Sequence, residues 1–496
     1  MSDTPAPTQE LRPEARAPRG LQDRRGLDLR EERRILQAVS EVYERWGFEA
    51  LDTSALEYAD ALGKFLPDSD RPNEGVFALQ DDDEQWMALR YDLTAPLARF
   101  AAENWETLPK PFRRYAYGSV WRNEKPGPGR FREFTQCDAD TVGSDRPEAD
   151  AELIAMAVEG LTAAGLPAGS AVVKINNRKL LNGVLTGAGV EDAVQKLVVL
   201  RAIDKLDRLG ARGVRDLLGA GRLDESGAFT PGAKLGVAAI DSVLAYLEAG
   251  ADSRAATLDK LDNVVGGTAE GAAGLAELAR IDAALRGLGV AEDAAKFDPA
   301  VVRGLEYYTG PVFEAEVVQT GAGGEPLRLG SIGGGGRYDD LVARFTGEKT
   351  PATGFSFGVS RLVVALRQLA WTREEQKPKP PRGPVVVIAF DEAAMGEYFA
   401  VAAELRAAGI AAEVYLGRSG MRPQMKYADR RLSPAAVILG GDELAAGTVT
   451  IKDLDLGRAL AAGLADHEAW RATRPGQVTV PRAELTAVVG RIVAGH

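Results

Sequence analysis

The sequence predicts a protein of the α/β class in two parts. The first is an α+β body whose antiparallel strands stand at both ends of its sequence around a helical insertion, and the second is a smaller C-terminal α/β domain. Three observations carry this. Strand-forming stretches joined by a turn-rich loop come early, and a second set returns only after a long Ala-, Leu- and Gly-rich stretch of helical periodicity from Asn177 to about Lys296. A charged, proline-rich segment, WTREEQKPKPPRGP at 371–384, has the composition of a linker. Beyond it strands and helices alternate, which predicts a mainly parallel sheet.

In chain order, the Pro-rich first twenty residues lack the apolar core of a signal peptide and read as a flexible lead. From Leu29 to Trp46 apolar residues recur at helical spacing, with Gly47 as the stop. Trp86 to Asp92 and Tyr115 to Trp121 favour strand, and the loop EKPGPGRF with Phe131 to Cys137 closes a hairpin. Glu148 to Ala164 is helical, and the insertion follows. Val312 to Val318 and Leu327 to Ile332 read as neighbouring strands before the glycine run Gly333 to Gly336, and Gly354 to Leu366 as a strand passing into a helix. After the linker come VVVIAF, a helix about Ala393 to Ala408, AAEVYL, a helix near Gln424 to Arg431, AAVILG and TVTIKDL.

Composition narrows the chemistry. With 496 residues, 45% of them hydrophobic and 27% charged, the chain is of globular type, and no apolar run approaches the roughly 20 residues of a membrane span. Cys137 is the single cysteine, which excludes an internal disulfide or thiolate cluster and fits a reducing cytoplasm. His467 and His496 are the only histidines, so a histidine base or multi-histidine metal site is not expected. The net charge of -12 argues against a nucleic-acid partner, but seven basic residues lie between Lys110 and Arg132.

That basic stretch belongs to the most informative block, FRRYAYGSVWRNEKPGPGRFREFTQCDAD, Phe112 to Asp140. Side chains two apart on a strand share a face, so Arg122 with Glu124, and Phe134 with Gln136, offer a guanidinium, a carboxylate, a ring and an amide to one side of a hairpin. Such a face suits a nucleotide: arginine neutralises phosphate, a ring stacks on a purine, and Arg130 and Arg132 reach outer phosphates. A solvated hairpin is the plain alternative. A second block, RGLEYYTG, supplies Arg303 and the adjacent Tyr307 and Tyr308. In LRYDLTAPLARF, Asp92 and Thr94 share a face if the strand continues through them, and a carboxylate with a hydroxyl suits an ammonium group; a helix cap is the alternative. SIGGGGRYDDLV carries Tyr338 after a glycine floor that is no P-loop, and GFSFGVSRLVVAL carries Arg361.

Taken in order, these blocks resemble the class II aminoacyl-tRNA synthetases, and RGLEYYTG resembles the signature of the histidyl-tRNA synthetase family, with Glu306 for the common aspartate. The resemblance implies the class II antiparallel sheet with flanking helices over 21–370 and an anticodon-binding α/β domain over 385–496. It implies two catalytic arginines, Arg122 at the α-phosphate and Arg303 where the adenylate forms. Histidine would be held by Asp92, Thr94, Arg122, Gln136, Asp140, Arg303, Tyr307, Tyr308 and Tyr338, and ATP by Arg122, Glu124, Arg130, Phe134 and Arg361. ATP as substrate, Mg²⁺, tRNA(His), a homodimer and a cytoplasmic location away from membranes come with the same resemblance. A regulatory subunit of ATP phosphoribosyltransferase would share the fold and bind histidine, but would lack the ATP contacts and the C-terminal domain.

Overall fold

The computed structural model describes residues 13–65, 75–127, 131–223, 227–265, 267–302, 308–318, 330–371, 382–461 and 476–495. The chain divides into two compact units, Met1–Lys377 and Pro378–His496.

In the first unit, α1 (Leu27–Arg45) buries Ile35, Val39, Val42 and Tyr43 at three- and four-residue spacing and runs into β1 (Glu49–Ala50). β2 (Leu56–Tyr58), β3 (Ala78–Gln80) and β4 (Trp86–Leu89) form a small separate sheet, followed by α2 (Thr94–Glu103). The hairpin strands are β5 (Phe112–Trp121) and β6 (Glu133–Val142), and α3 (Pro147–Ala163) leads to β7 (Ala171–Asn177). The insertion holds α4 (Arg178–Gly187), α5 (Ala193–Ile203), α6 (Leu206–Leu218), the hairpin β8 (Gly221–Leu223) and β9 (Phe229–Pro231), α7 (Val237–Leu247), α8 (Arg254–Val265) and α9 (Ala269–Gly287). β10 (Ala295–Phe297), β11 (Pro311–Val317), β12 (Ser331–Arg337), α10 (Ala343–Thr346), β13 (Ala352–Gly358) and α11 (Val359–Trp371) complete the unit.

The main sheet has the order β1-β5-β6-β13-β12-β11-β7-β10, antiparallel within and parallel only at the two edge pairs. One face is apolar: Cys137, Ala139, Phe313, Phe355 and Phe357 join Ile35, Val39 and Tyr43 of α1 and Ile154 of α3 in the largest core cluster. The other face is free for chemistry. The glycine run is part of neither a turn nor a loop; it is the middle of β12, paired on both sides with β11 and β13. Two details depart from expectation for a local reason. The end of the N-terminal lead is anchored, since Gly20 O accepts the Arg132 N–H at 2.8 Å. Asp92 and Thr94 do not continue a strand: β4 stops at Leu89, and Asp92 Oδ1 accepts the N–H groups of Thr94 (3.1 Å) and Ala95 (2.9 Å) at the start of α2.

The second unit contains β14 (Val385–Ile388), α12 (Met395–Ala407), β15 (Ala412–Val414), α13 (Met421–Arg430), β16 (Ala435–Ile438), α14 (Gly441–Ala446), β17 (Thr448–Asp453), α15 (Leu454–Ala461), β18 (Gln477–Pro481) and α16 (Leu485–Ala494). Its sheet, β15-β14-β16-β17-β18, is mixed rather than mainly parallel: β14 pairs parallel with β15 and β16, whereas β17 pairs antiparallel with β16 and β18. A parallel return needs a crossover of about a dozen residues or more. The short stretch from Leu439 to Gly447 brings the chain back antiparallel instead.

Candidate active site

Register decides which side chains meet. On β6, Phe134, Gln136, Asp138 and Asp140 point away from the apolar core, and their partners on that face are Val120, Gly118, Ala116 and Arg114 of β5 and Gly358, Ser356 and Gly354 of β13. Glycine gives this face its depth. A Cβ on Gly354 would overlap Asp140 Oδ1, and one on Gly336 would sit 2.9 Å from the Tyr308 ring, so absent side chains leave room for a carboxylate and a tyrosine against the backbone. A Cβ on Gly118 would likewise collide with the Arg90 guanidinium.

At one end of the face Arg122 continues β5 past Trp121, and its guanidinium lies against two rings, 4.3 Å from the Tyr91 centroid and 5.1 Å from that of Phe134. Arg122 Nε is buried with no hydrogen-bond partner among the described residues. Glu124 accepts the Tyr91 hydroxyl at 3.2 Å. Arg361, on the first turn of α11, packs against Gly358 and donates to Ser331 O at 3.2 Å. The structure therefore brings Arg122, Glu124, Phe134 and Arg361 to one side of the sheet.

Farther along lies a nest of carboxylates. Asp140 is 2% exposed; Tyr338 donates to its Oδ1, and Arg114, fully buried, holds its Oδ2 at 3.0 Å while donating to Leu93 O at 2.8 Å. Burial raises the Asp140 pKa, with Arg114 and the Tyr338 bond opposing. Asp138, also 2% exposed, is pushed up to about 8, first by burial and then by Asp140, against the pull of Arg114 and a hydrogen bond from Ser356. The charge of Asp92 reaches both. Gln136, Asp140, Tyr308, Tyr338 and the helix start at Asp92 and Thr94 thus surround one region. Arg130, Arg303 and Tyr307 lie outside the described residues, as do His467 and His496.

Sequence reasoning missed Arg90, Tyr91, Arg114 and Asp138. Asp138 carried a signal, its two-residue spacing from Gln136 and Asp140. Arg114 carried none that separates it from its neighbours: of the basic stretch, Arg113 pairs with Glu152 and Lys110 lies over Trp105, whereas Arg114 is enclosed by the third dimension.

A pH dependence follows from Asp138. Its carboxyl goes from an ordinary 3.8 to about 8, so between these values the folded chain keeps a proton that the unfolded chain has released, and stability falls as pH rises through that window. Asp138→Asn, permanently neutral, is expected to gain stability relative to the wild type from pH 5 to pH 8 in urea titrations. A constant difference across that range would contradict the raised value.

Comparison with known proteins gives the same family at three levels. Residues 20–362 match the family described as "Histidyl-tRNA synthetase", and residues 384–489 match the "Anticodon binding domain". A "Histidine--tRNA ligase" of Caulobacter vibrioides is 71% identical across 100% of both chains, and one of Brucella suis is 54% identical across 97% of this chain and 96% of its own. The crystal structure of histidyl-tRNA synthetase from Nostoc superposes with a TM-score of 0.72 at 29% identity, covering 97% of this chain and 100% of that one. With the family matched over most of its length and a relative so similar from end to end, the chain belongs to the histidyl-tRNA synthetase family.

Proposed function

We propose that this chain works as a histidine–tRNA ligase on the polar face of its main sheet, with the residues named above in the roles that the family resemblance implies. Family membership and the full-length relatives make it an ATP-dependent ligase for histidine and tRNA(His). The observation that carries the siting is the collection of Arg122, Phe134, Gln136, Asp140, Tyr338 and Arg361 on one side of one sheet from three separate sequence blocks.

In the first step a carboxylate oxygen of histidine attacks the α-phosphorus of ATP in line. The bond to the β-bridging oxygen breaks, and pyrophosphate leaves with the electron pair. In the second step a terminal ribose hydroxyl of tRNA attacks the carbonyl carbon of the adenylate, and AMP departs. Arg122, held against two rings, is assigned to the α-phosphate, where charge builds, and Phe134 offers a face to the adenine. Arg303 is assigned to the carboxylate and phosphate by its signature. Gln136, Asp92 and Thr94 take the ammonium group, and Asp140, Tyr308 and Tyr338 the imidazole. No protein base is required, because positioning and charge neutralisation supply most of the catalysis in phosphoryl transfer.

Mg²⁺ takes one or two carboxylates and completes its shell with phosphates and water. Among the described residues no group of three or more His, Cys, Asp or Glu gathers as a metal cage. The ion would arrive on ATP, and Glu314, which shares the polar face and lines a cavity of about 130 Å³ with Ser331 and Asp298, is the carboxylate placed to meet it. Bound there, Mg²⁺ neutralises charge on the phosphates. The division into a catalytic body over 21–370, a linker over 371–384 and an anticodon-binding domain over 385–496 belongs to the same reading, as do the homodimer and the cytoplasmic location. Support for the domains comes from the two family matches; no helix among the described residues is long and apolar enough to cross a membrane.

Pyrophosphate exchange tests the reading directly. With ATP and Mg²⁺, histidine alone among the standard amino acids is expected to support rapid exchange. Equal exchange with proline or threonine would overturn it.

A further inference from the structure

Tyr91 touches two of the groups assigned to ATP, and the chain on either side of it is fixed. Arg90 donates its backbone N–H to Ala55 O at 2.9 Å and accepts the Trp121 N–H at 3.0 Å. Its side chain, 6% exposed, donates from Nε to Ser119 O at 2.9 Å and from Nη1 to Thr53 O at 2.8 Å. On the other side Asp92 accepts the first N–H groups of α2. With both neighbours held and only two side-chain torsions of its own, Tyr91 gives up little further freedom when its ring is placed.

The ring centroid lies 4.3 Å from the Arg122 guanidinium, and the hydroxyl donates to Glu124 Oε1 at 3.2 Å. The two contacts differ in strength. A hydroxyl-to-carboxylate bond is ordinarily about 2.5–2.7 Å, and Glu124 is exposed, so this one is weak. The ring contact is close, joins two half-buried side chains and engages a guanidinium whose Nε is buried without a hydrogen-bond partner among the described residues. Opposite charges so near in sequence also attract one another directly. Tyr91 gives each a separate place, the cation on its face and the anion at its tip.

We propose that Tyr91 is a positioning residue for adenylate formation: its ring face restrains the Arg122 guanidinium for the α-phosphate, and its hydroxyl holds Glu124 back from Arg122. The inference rests on the proposed roles of Arg122 and Glu124 at ATP. Tyr91 itself touches neither substrate in that reading. An aliphatic side chain in its place fills the volume but offers no π face, so Arg122 gains rotamers and a competing carboxylate.

The test is pre-steady-state adenylate formation by the full-length chain, beside ATP and histidine dissociation constants, for Tyr91→Leu, Tyr91→Phe, Arg122→Ala and the double variant Tyr91→Leu with Arg122→Ala. Tyr91→Leu is expected to lower the saturated rate by about tenfold, the scale of a partly desolvated cation–π contact. Tyr91→Phe keeps the ring and is expected to recover most of that rate while weakening ATP by about threefold, the scale of one weak hydrogen bond. A group that acts through Arg122 has nothing to act on once Arg122 is gone. Tyr91→Leu is therefore expected to change the Arg122→Ala rate by less than about twofold. General damage to the pocket would slow both backgrounds equally, and that result overturns the proposal. So does a Tyr91→Phe rate as low as that of Tyr91→Leu, or a loss of histidine affinity as large as the loss of rate, which would trace the effect to Asp92. If Arg122→Ala is slow and Tyr91→Leu is not, the inference alone fails. If Arg122→Ala forms adenylate at the wild-type rate, the underlying assignment of Arg122 fails first and the inference falls with it.

Discussion

Arg122→Ala is expected to slow adenylate formation by about a hundredfold or more with both substrates saturating, while ATP binding weakens far less. Removing one well-placed donor to a developing anion costs about 3 kcal/mol, and a group acting mainly in the transition state lowers kcat more than it raises KM. The geometry favours a large effect. Tyr91 and Phe134 both pack against the guanidinium, which limits its freedom before substrate arrives. Arg122→Lys is expected to recover little, because an ammonium lacks the planar fork and the stacking surface. Arg303→Ala should behave in the same way. Pre-steady-state measurement of adenylate, beside ATP and histidine dissociation constants, checks both; a wild-type single-turnover rate would reduce either residue to a binding role.

Arg114→Met is expected to destabilise the fold by about 3–5 kcal/mol, the range for removing one partner of a buried ion pair. Arg114 is completely enclosed and is the guanidinium that bonds Asp140, and its charge also pulls down the pKa of Asp138. Its loss pushes both carboxyls further up. The wild type already keeps these protons above the ordinary carboxylate range, so the added penalty grows only as pH rises past each carboxyl's wild-type folded value, about 8 for Asp138. Urea midpoints should therefore separate more at pH 8 than at pH 5, and unchanged midpoints at pH 8 would refute the ion pair's structural role. Methionine matches the length of the arginine stem, so the measured loss reports charge more than volume.

What the sequence determined by itself was the chemistry carried by local pattern. The alternation along Phe134, Gln136, Asp138 and Asp140 is a strand property that survives in any tertiary context, because successive side chains must alternate faces. The helical spacing of Ile35, Val39 and Val42, the hairpin around 121–133 and the signature RGLEYYTG were legible for the same reason: each depends on neighbours a few residues away. Tertiary structure decided what depends on partners far along the chain. The glycine run of β12 became a central strand only because β11 and β13 flank it, and the missing side chain of Gly336 then became space for Tyr308. Asp92 capped a helix because β4 ended three residues earlier. Arg114 and Ser356 took their roles from strands that pair across distances of about 26 and 218 residues, where burial and register, not local propensity, choose which polar groups meet.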